Sequence, residues 1–395
     1  MYTPSTKPNS RIDVADVLRG IAIGGIVLIH FIEQLNFYRF PEPSSPFMEW
    51  FNQAVWDTTF YLLAGKMYAI FSMLFGLSFF IQHDNQAQRG VDFRPRFVWR
   101  MVLLFLFGLF NTLFYNGDIL CIYAVCGVLI IPFIRANDKV VTAVAIALML
   151  QPLEIYYIVR GLIDPTTEIF TLNSREIFNE FIATQGEGSW LDVASLGMRK
   201  GLQLNFYWAL EHGRLIQTVF LFLFGIMLGR KRMFYDEGNN VQIWKRVVVG
   251  ALCAFVLLAP AYELLPEMVE IPCVSKSLAT MLKMWRNLSM MLIIVGSVVV
   301  LFYRTKAHDV LMKIAPYGKM SLTNYLGQAI VGCFIFYHWG LGFYRFTGHA
   351  AALLLGAVVV VAQWYFCRWW LSRHSHGPFE SLWRQLTWIG TKKSN

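Results

Sequence analysis

Asp16-Val-Leu-Arg19-Gly20-Ile-Ala-Ile-Gly-Gly-Ile-Val-Leu-Ile-His30 is the stretch on which the reading of this chain turns. A helix turns about 100° and rises about 1.5 Å per residue. Arg19 and His30 therefore share one face, about 16 Å apart along the axis. Asp16 lies one turn below Arg19 on the same stripe. The run is apolar and, continued to about residue 37, long enough to cross about 30 Å of hydrocarbon. Ionisable groups at membrane depth are costly, so each marks a functional site by default. The plainer alternative is an Asp–Arg pair at the membrane surface and a histidine satisfied by a neighbouring helix.

The composition fits that frame. Of 395 residues, 56% are hydrophobic and only 15% charged, with mean hydropathy +0.48. Soluble domains carry about 25% charged residues. The spacing of apolar runs predicts an all-α, polytopic membrane protein with about ten transmembrane helices, at 17–37, 58–82, 97–115, 118–134, 139–160, 209–229, 244–264, 284–303, 320–338 and 350–371. The net charge of +9 does not indicate nucleic acid, because Lys and Arg gather in alternate loops, most densely in 89–100, 230–246 and 304–319. That alternation places both termini in the cytoplasm. The first apolar run carries Arg19 and lacks a small-residue cleavage site, so it reads as a retained helix.

The chain reads as a single transmembrane domain over 1–395. Its one long connection, 161–208, is expected as an amphipathic layer on the outer face, with Phe178, Phe181 and Ile182 at helical spacing. The six cysteines show no C-x-x-C spacing and read as small core residues. His374 and His376 lack further ligands, so no metal is expected.

Other polar residues punctuate the helices. Lys66 falls about eight residues into the second helix, and its alternative is to snorkel back to the interface. Asp118 opens the fourth helix, where capping alone would explain it. Glu211 and Arg214 open the sixth, and Arg286 lies at the outer end of the eighth. With His30 these residues converge on the outer half of the membrane. Thr323, Asn324 and Gln328, on the ninth helix, read as hydrogen-bonding glue between helices.

The motif Arg11-x4-Asp16-x2-Arg19-Gly20, followed by His30, resembles the opening of the transmembrane acyltransferases, which include heparan-alpha-glucosaminide N-acetyltransferase. Gly117-Asp118-Ile-Leu-Cys-Ile-Tyr123, Gly318-Lys-Met-Ser-Leu-Thr323-Asn324-Tyr325 and Gly377-Pro378-Phe-Glu-Ser-Leu-Trp383-Arg384 are similar to segments of the YeiB-like family of bacterial inner-membrane proteins. The resemblance implies acyl-coenzyme A taken from the cytoplasm, no metal, and an acceptor at the outer face such as a cell-envelope glycan. It implies His30 as base or acyl carrier, with Asp118 beside it. It further implies Arg11, Asp16, Arg19, Lys66 and Asn324 toward the coenzyme, and Glu211, Arg214 and Arg286 toward the acceptor. Arg19 suits a bidentate phosphate contact, and the pantetheine arm is similar in length to the rise from Arg19 to His30. A permease for a small solute is the competing reading. Against it, the sequence shows no paired interrupted helices of the kind that build transporter sites. A catalytically silent scaffold is a third, and a homo-oligomer is left open.

Overall fold

The computed structural model describes Asn9, residues 11–33 and residues 35–390. Among these the chain is all helix, with no strand. The two termini, expected in the cytoplasm, lie outside the described residues.

Helix α1 (Asp13–Ile32) is the axis of the molecule. Asp13 and Asp16 in its first turn suit the positive end of the helix dipole. It is covered by α3 (Lys66–Ala87), α15 (Ala315–Lys319), α16 (Ser321–Phe336) and α17 (His349–Leu371). Small residues set these distances: a side chain at Gly318 would strike the Asp16 carbonyl, and one at Gly20 would meet Ile314. Backbones approach the same way where α3 crosses α11 (Arg214–Arg230). Gly76 faces the Phe222 carbonyl, and Gly225 faces the Met73 carbonyl. In a bilayer, where lipid tails are as apolar as side chains, such close packing is what holds helices together.

The outer helices bury little. On α12 (Asn240–Leu264) only Val241, Trp244 and Ala251 are buried, while Val256 and Leu257 are 61% and 72% exposed. A continuous apolar surface of this kind on α12 and α17 is fit for lipid, not water. By length and apolarity, five helical stretches could cross a membrane: α1, α2 (Pro46–Leu63) run on into α3, α12, α13 (Pro272–Arg304) and α17. Two bent pairs raise this to seven.

All ten expected segments fall on helices, but several differ from a plain span. The segment expected at 58–82 is broken at Gly65, whose φ of +77° ends α2 and starts α3. The one expected at 139–160 is α6 (Asp138–Met149) and α7 (Pro152–Ile163), bent by 47° at Gln151, which has φ +58°. Helix α4 (Arg94–Asn111) carries three arginines in its first two turns, and α5 (Leu120–Leu129) is short, running on into a 3-10 turn to Ile134.

The connection at 161–208 does form helices: α8 (Ser174–Glu187), α9 (Trp190–Leu196) and α10 (Leu202–Glu211). The last bends by 79° into α11 at His212-Gly213. So the chain does contain paired interruptions, contrary to the sequence reading, and they meet: Gly213 lies against Gln151 and Glu154. Each break turns on a single residue in left-handed backbone, Gln151 just before Pro152 and Gly213, which the length of the apolar runs outweighed in the reading. After α13, the short α14 (His308–Met312) leads into α15, and α18 (Pro378–Thr387) closes the described chain.

The orientation expected from the charge pattern makes a direct prediction. Reporter fusions after Gly90 and Met233 should read cytoplasmic, and fusions near Gly186 should read external. A cytoplasmic signal at Gly186 would overturn the orientation.

Candidate functional site

A chamber of about 420 Å³ runs along α1, and its lining includes Arg11, Asp16, Arg19, Ile26 and His30. The stripe read from the sequence is therefore one wall of a cavity. Helix α3 supplies Tyr68, Phe71, Phe75 and Ser78 to a second wall, and α16 supplies Ser321 and Tyr325 to a third.

At one end, Asp16 is bracketed by two arginines. Arg11 Nε donates to its Oδ2 at 2.9 Å, and an Arg19 guanidinium nitrogen donates to its Oδ1 at 2.7 Å. The other end of the Arg19 fork donates to Ser78 Oγ at 2.6 Å. Arg100 and Lys319 line the same end and form no ion pair among the described residues. Arg100 instead stacks over Trp383, 4.1 Å from the ring centroid, and donates to Thr387. Trp383 belongs to α18, which is held in place by Glu380. Its carboxylate accepts from the Leu322 and Thr323 backbone at 2.7 and 3.0 Å and from the Thr323 hydroxyl at 2.5 Å. A carboxylate at the N-terminus of α16 satisfies orphan donors there and suits its dipole.

At the other end stands His30, half-buried on the wall. Its Nδ1 lies 2.7 Å from the side-chain amide of Gln328, and its ring packs 5.2 Å from that of Tyr115 and 6.2 Å from that of Tyr325. The Gln328 amide, drawn with its nitrogen toward His30, leaves its own Oε1 buried without a partner. Amide oxygen and nitrogen occupy interchangeable positions, so turning it over lets Nδ1–H donate to Oε1. That arrangement leaves His30 Nε2 with a free lone pair and the amide NH2 where the oxygen stood. Gln328 bonds across from α16 to α1, as expected of it, and its partner there is the histidine. Arg214 shares this end, over the rings of Tyr68 and Trp208 at 5.2 and 5.7 Å.

The structure does not bring every expected residue here. Asp118 is fully buried and turned from the chamber, accepting from the Cys121 backbone and the Asn111 amide, each at 3.0 Å. That is the capping role foreseen for it, and it leaves no hand free for His30. Asn324 donates to the Tyr317 carbonyl at 3.0 Å and to Cys367, a packing contact. Glu211 ends α10 and accepts from Ser174 and the Leu172 backbone, anchoring the start of α8. Lys66 is buried just behind Gly65, donating to the Tyr61 carbonyl at 2.6 Å. Arg286 pairs with Glu263 at 3.0 Å and stacks on Tyr262. The sequence reading placed Arg100 only within a basic loop and Trp383 only within a motif, because their places at the site depend on α18 folding back onto α4.

The three motif segments far apart in sequence meet on this cavity. Gly117, Ile119 and Tyr123 come from the first, Gly318, Lys319 and Tyr325 from the second, and Trp383 from the third. Apolar helices with lipid-suited faces around such a chamber make this a multi-pass membrane protein.

The sequence relatives add what the chain is similar to. Residues 11–174 match the catalytic model of heparan-alpha-glucosaminide N-acetyltransferase, and residues 228–390 match a family described as protein of unknown function, DUF418. The chain is 28% identical to the uncharacterized protein YxaH of Bacillus subtilis, over 97% of this chain and 96% of that protein. It is 27% identical to the uncharacterized protein YeiB of Escherichia coli, over 94% and 95%. No solved structure matches. The chain is thus similar to YeiB and YxaH over nearly its whole length, and its first part is similar to the catalytic region of an acyltransferase.

Proposed function

We propose that this protein is a membrane acyltransferase that moves an acyl group, an acetyl for choice, from cytoplasmic acyl-coenzyme A to an acceptor at the outer face of the bacterial inner membrane. One observation carries the reading: a single chamber along α1 has unpaired cations at one end and a hydrogen-bonded histidine at the other. The nucleotide phosphates would rest on Arg19, Arg100 and Lys319, where charge-assisted contacts are strong. Arg11 and Asp16 hold the Arg19 fork at its angle. The pantetheine arm would lie along the apolar wall between Phe71, Phe75 and Ile26. Its thioester would then arrive beside His30.

There His30 Nε2 takes the proton of the acceptor hydroxyl as that oxygen attacks the thioester carbonyl. The thiolate leaves and is protonated, so acceptor ester and free coenzyme A result. Arg214, on the same end, is placed to face the developing oxyanion. Asp118 takes no part in this scheme.

The test is binding of acetyl-coenzyme A to the detergent-purified protein. Arg19→Ala removes a charge-assisted contact worth about 1.5–3 kcal/mol, so affinity should fall about 10- to 150-fold, with a reduced salt dependence. Unchanged affinity in a folded variant would move the nucleotide elsewhere.

A second reading has one observation behind it. The bends at Gln151 and Gly213 pack together beside Arg214, and interrupted helices build solute sites in permeases. Uptake of a solute by reconstituted vesicles, with no transfer from acetyl-coenzyme A, would favour it.

A further inference from the structure

We propose that the acceptor carries an oxyanion, of phosphate type, beside the group that is acylated. This rests on the acyltransferase reading for the word acceptor, but not for the anion site itself.

The His30 end holds more positive charge than the protein neutralises. Lys66 is 2% exposed, and its only hydrogen bond is to a backbone carbonyl. Arg214, Lys283 and Arg286 all lie within electrostatic reach of it. Lys66 and Arg286 stand 5.7 and 5.8 Å from the centroid of one ring, that of Tyr61. Among the described residues, Lys66, Arg214 and Lys283 form no ion pair. Three carboxylates face this group. Glu263 pairs with Arg286, and Glu33, hydrogen-bonded by Tyr38, lies within reach of Arg214 and Lys283. Glu211, three residues before Arg214, accepts from the neutral Ser174 and keeps its charge. Four cations therefore meet three carboxylates, and of the four only Arg286 is in an ion pair among the described residues.

An unmatched cation held out of water is strongly unfavourable unless something supplies the opposite charge. Only Arg214 of the four faces the chamber, where it lies over the rings of Tyr68 and Trp208. A ligand entering here meets a planar guanidinium first, with Lys66 and Arg286 adding their field from behind. A guanidinium fork suits phosphate bidentately. An ester of phosphate, as in a lipid headgroup or a phosphorylated glycan, offers that group next to free hydroxyls. The hydroxyl then falls within reach of His30.

The experiment titrates sn-glycerol 3-phosphate, inorganic phosphate and uncharged glycerol into the purified full-length chain, the Arg214→Gln and Lys283→Gln variants, and Arg19→Ala. Both phosphates should bind and glycerol should not. Arg214→Gln should weaken binding about tenfold or more. The exposed Lys283→Gln, which leaves packing intact, should weaken it about two- to fivefold at low salt. Arg19→Ala should remove only phosphate held at the coenzyme end and leave the Arg214-dependent binding unchanged. Tighter binding of the glycerol ester than of inorganic phosphate marks a headgroup-like source, and equal binding marks a free oxyanion. Either supports the site. No phosphate binding by the native chain, or binding lost in Arg19→Ala and kept in Arg214→Gln, overturns it. Coenzyme A titrated into the same proteins separates the two ideas: phosphate bound at Arg214 with no coenzyme A binding would sink acyl transfer and leave the anion site standing.

Discussion

The His30→Gln protein should bind acetyl-coenzyme A like the native chain and transfer acyl groups about 10²–10⁴-fold more slowly, the usual contribution of a positioned base. Glutamine keeps a hydrogen-bonding side chain of comparable reach, so the contact with Gln328 has a substitute and the fold should survive. The base must be unprotonated, so native activity should rise with pH and level off once the imidazole is neutral. The residual activity of His30→Gln should lose that dependence. Gln328→Leu supplies the complementary reading. It removes the group that fixes the imidazole tautomer without touching the reacting atoms. Transfer should fall while coenzyme A affinity holds, and Gln328→Glu should restore a rate and move the pH profile, as no packing role would. Wild-type transfer by purified His30→Gln would show that the aligned stripe on α1 is only packing.

The second large effect lies in the scaffold. Gly225→Leu should abolish recovery of folded protein, and even Gly225→Ala should cost about 1–3 kcal/mol. A Cβ at this position meets the Met73 carbonyl, and the reciprocal contact is Gly76 against the Phe222 carbonyl. Backbone faces backbone on both sides, so no side chain can swing away and the helices must part. Since α3 carries Tyr68, Phe71, Phe75 and Ser78, parting them also reshapes the chamber. Gly250→Ala on α12 is the control: nothing lies within 4 Å of its added methyl, and alanine is the better helix former. Thermal midpoints in detergent would read both. Equal stability of Gly225→Ala and the native protein would show that the crossing is looser than described.

These contacts also show what the sequence could disclose. Apolar run lengths place the helices, because a bilayer imposes one length scale on every span. The Arg19–His30 face follows from helical period alone, and it does line the cavity. Single-residue events leave no mark on run length. Gly65 breaks its expected span through left-handed backbone within an apolar run, whereas Gln151 stands just before Pro152, a break signal that the run length overrode in the reading. Asp118 and Glu211 are polar residues at helix ends, and only their neighbours in space decide whether they face a ligand or a backbone. Arg100 reads in sequence as one basic residue in a basic loop. Its place in the cavity depends on Trp383, far along the chain, and that depends on Glu380 capping a helix in between.

The cationic character of both chamber ends has a consequence for the cell's energetics. On the proposed reading, a passage that threads a coenzyme arm through a bilayer would also be a route by which ions could run down a gradient. Arg19, Arg100 and Lys319 at one mouth and Arg214 at the other would raise the potential along that route. Protons and metal cations would then be turned back there, as positive constrictions do in water-selective pores. An anionic group entering at either end meets the opposite field. The same charges that gather substrate would thus keep the membrane electrically tight between turnovers.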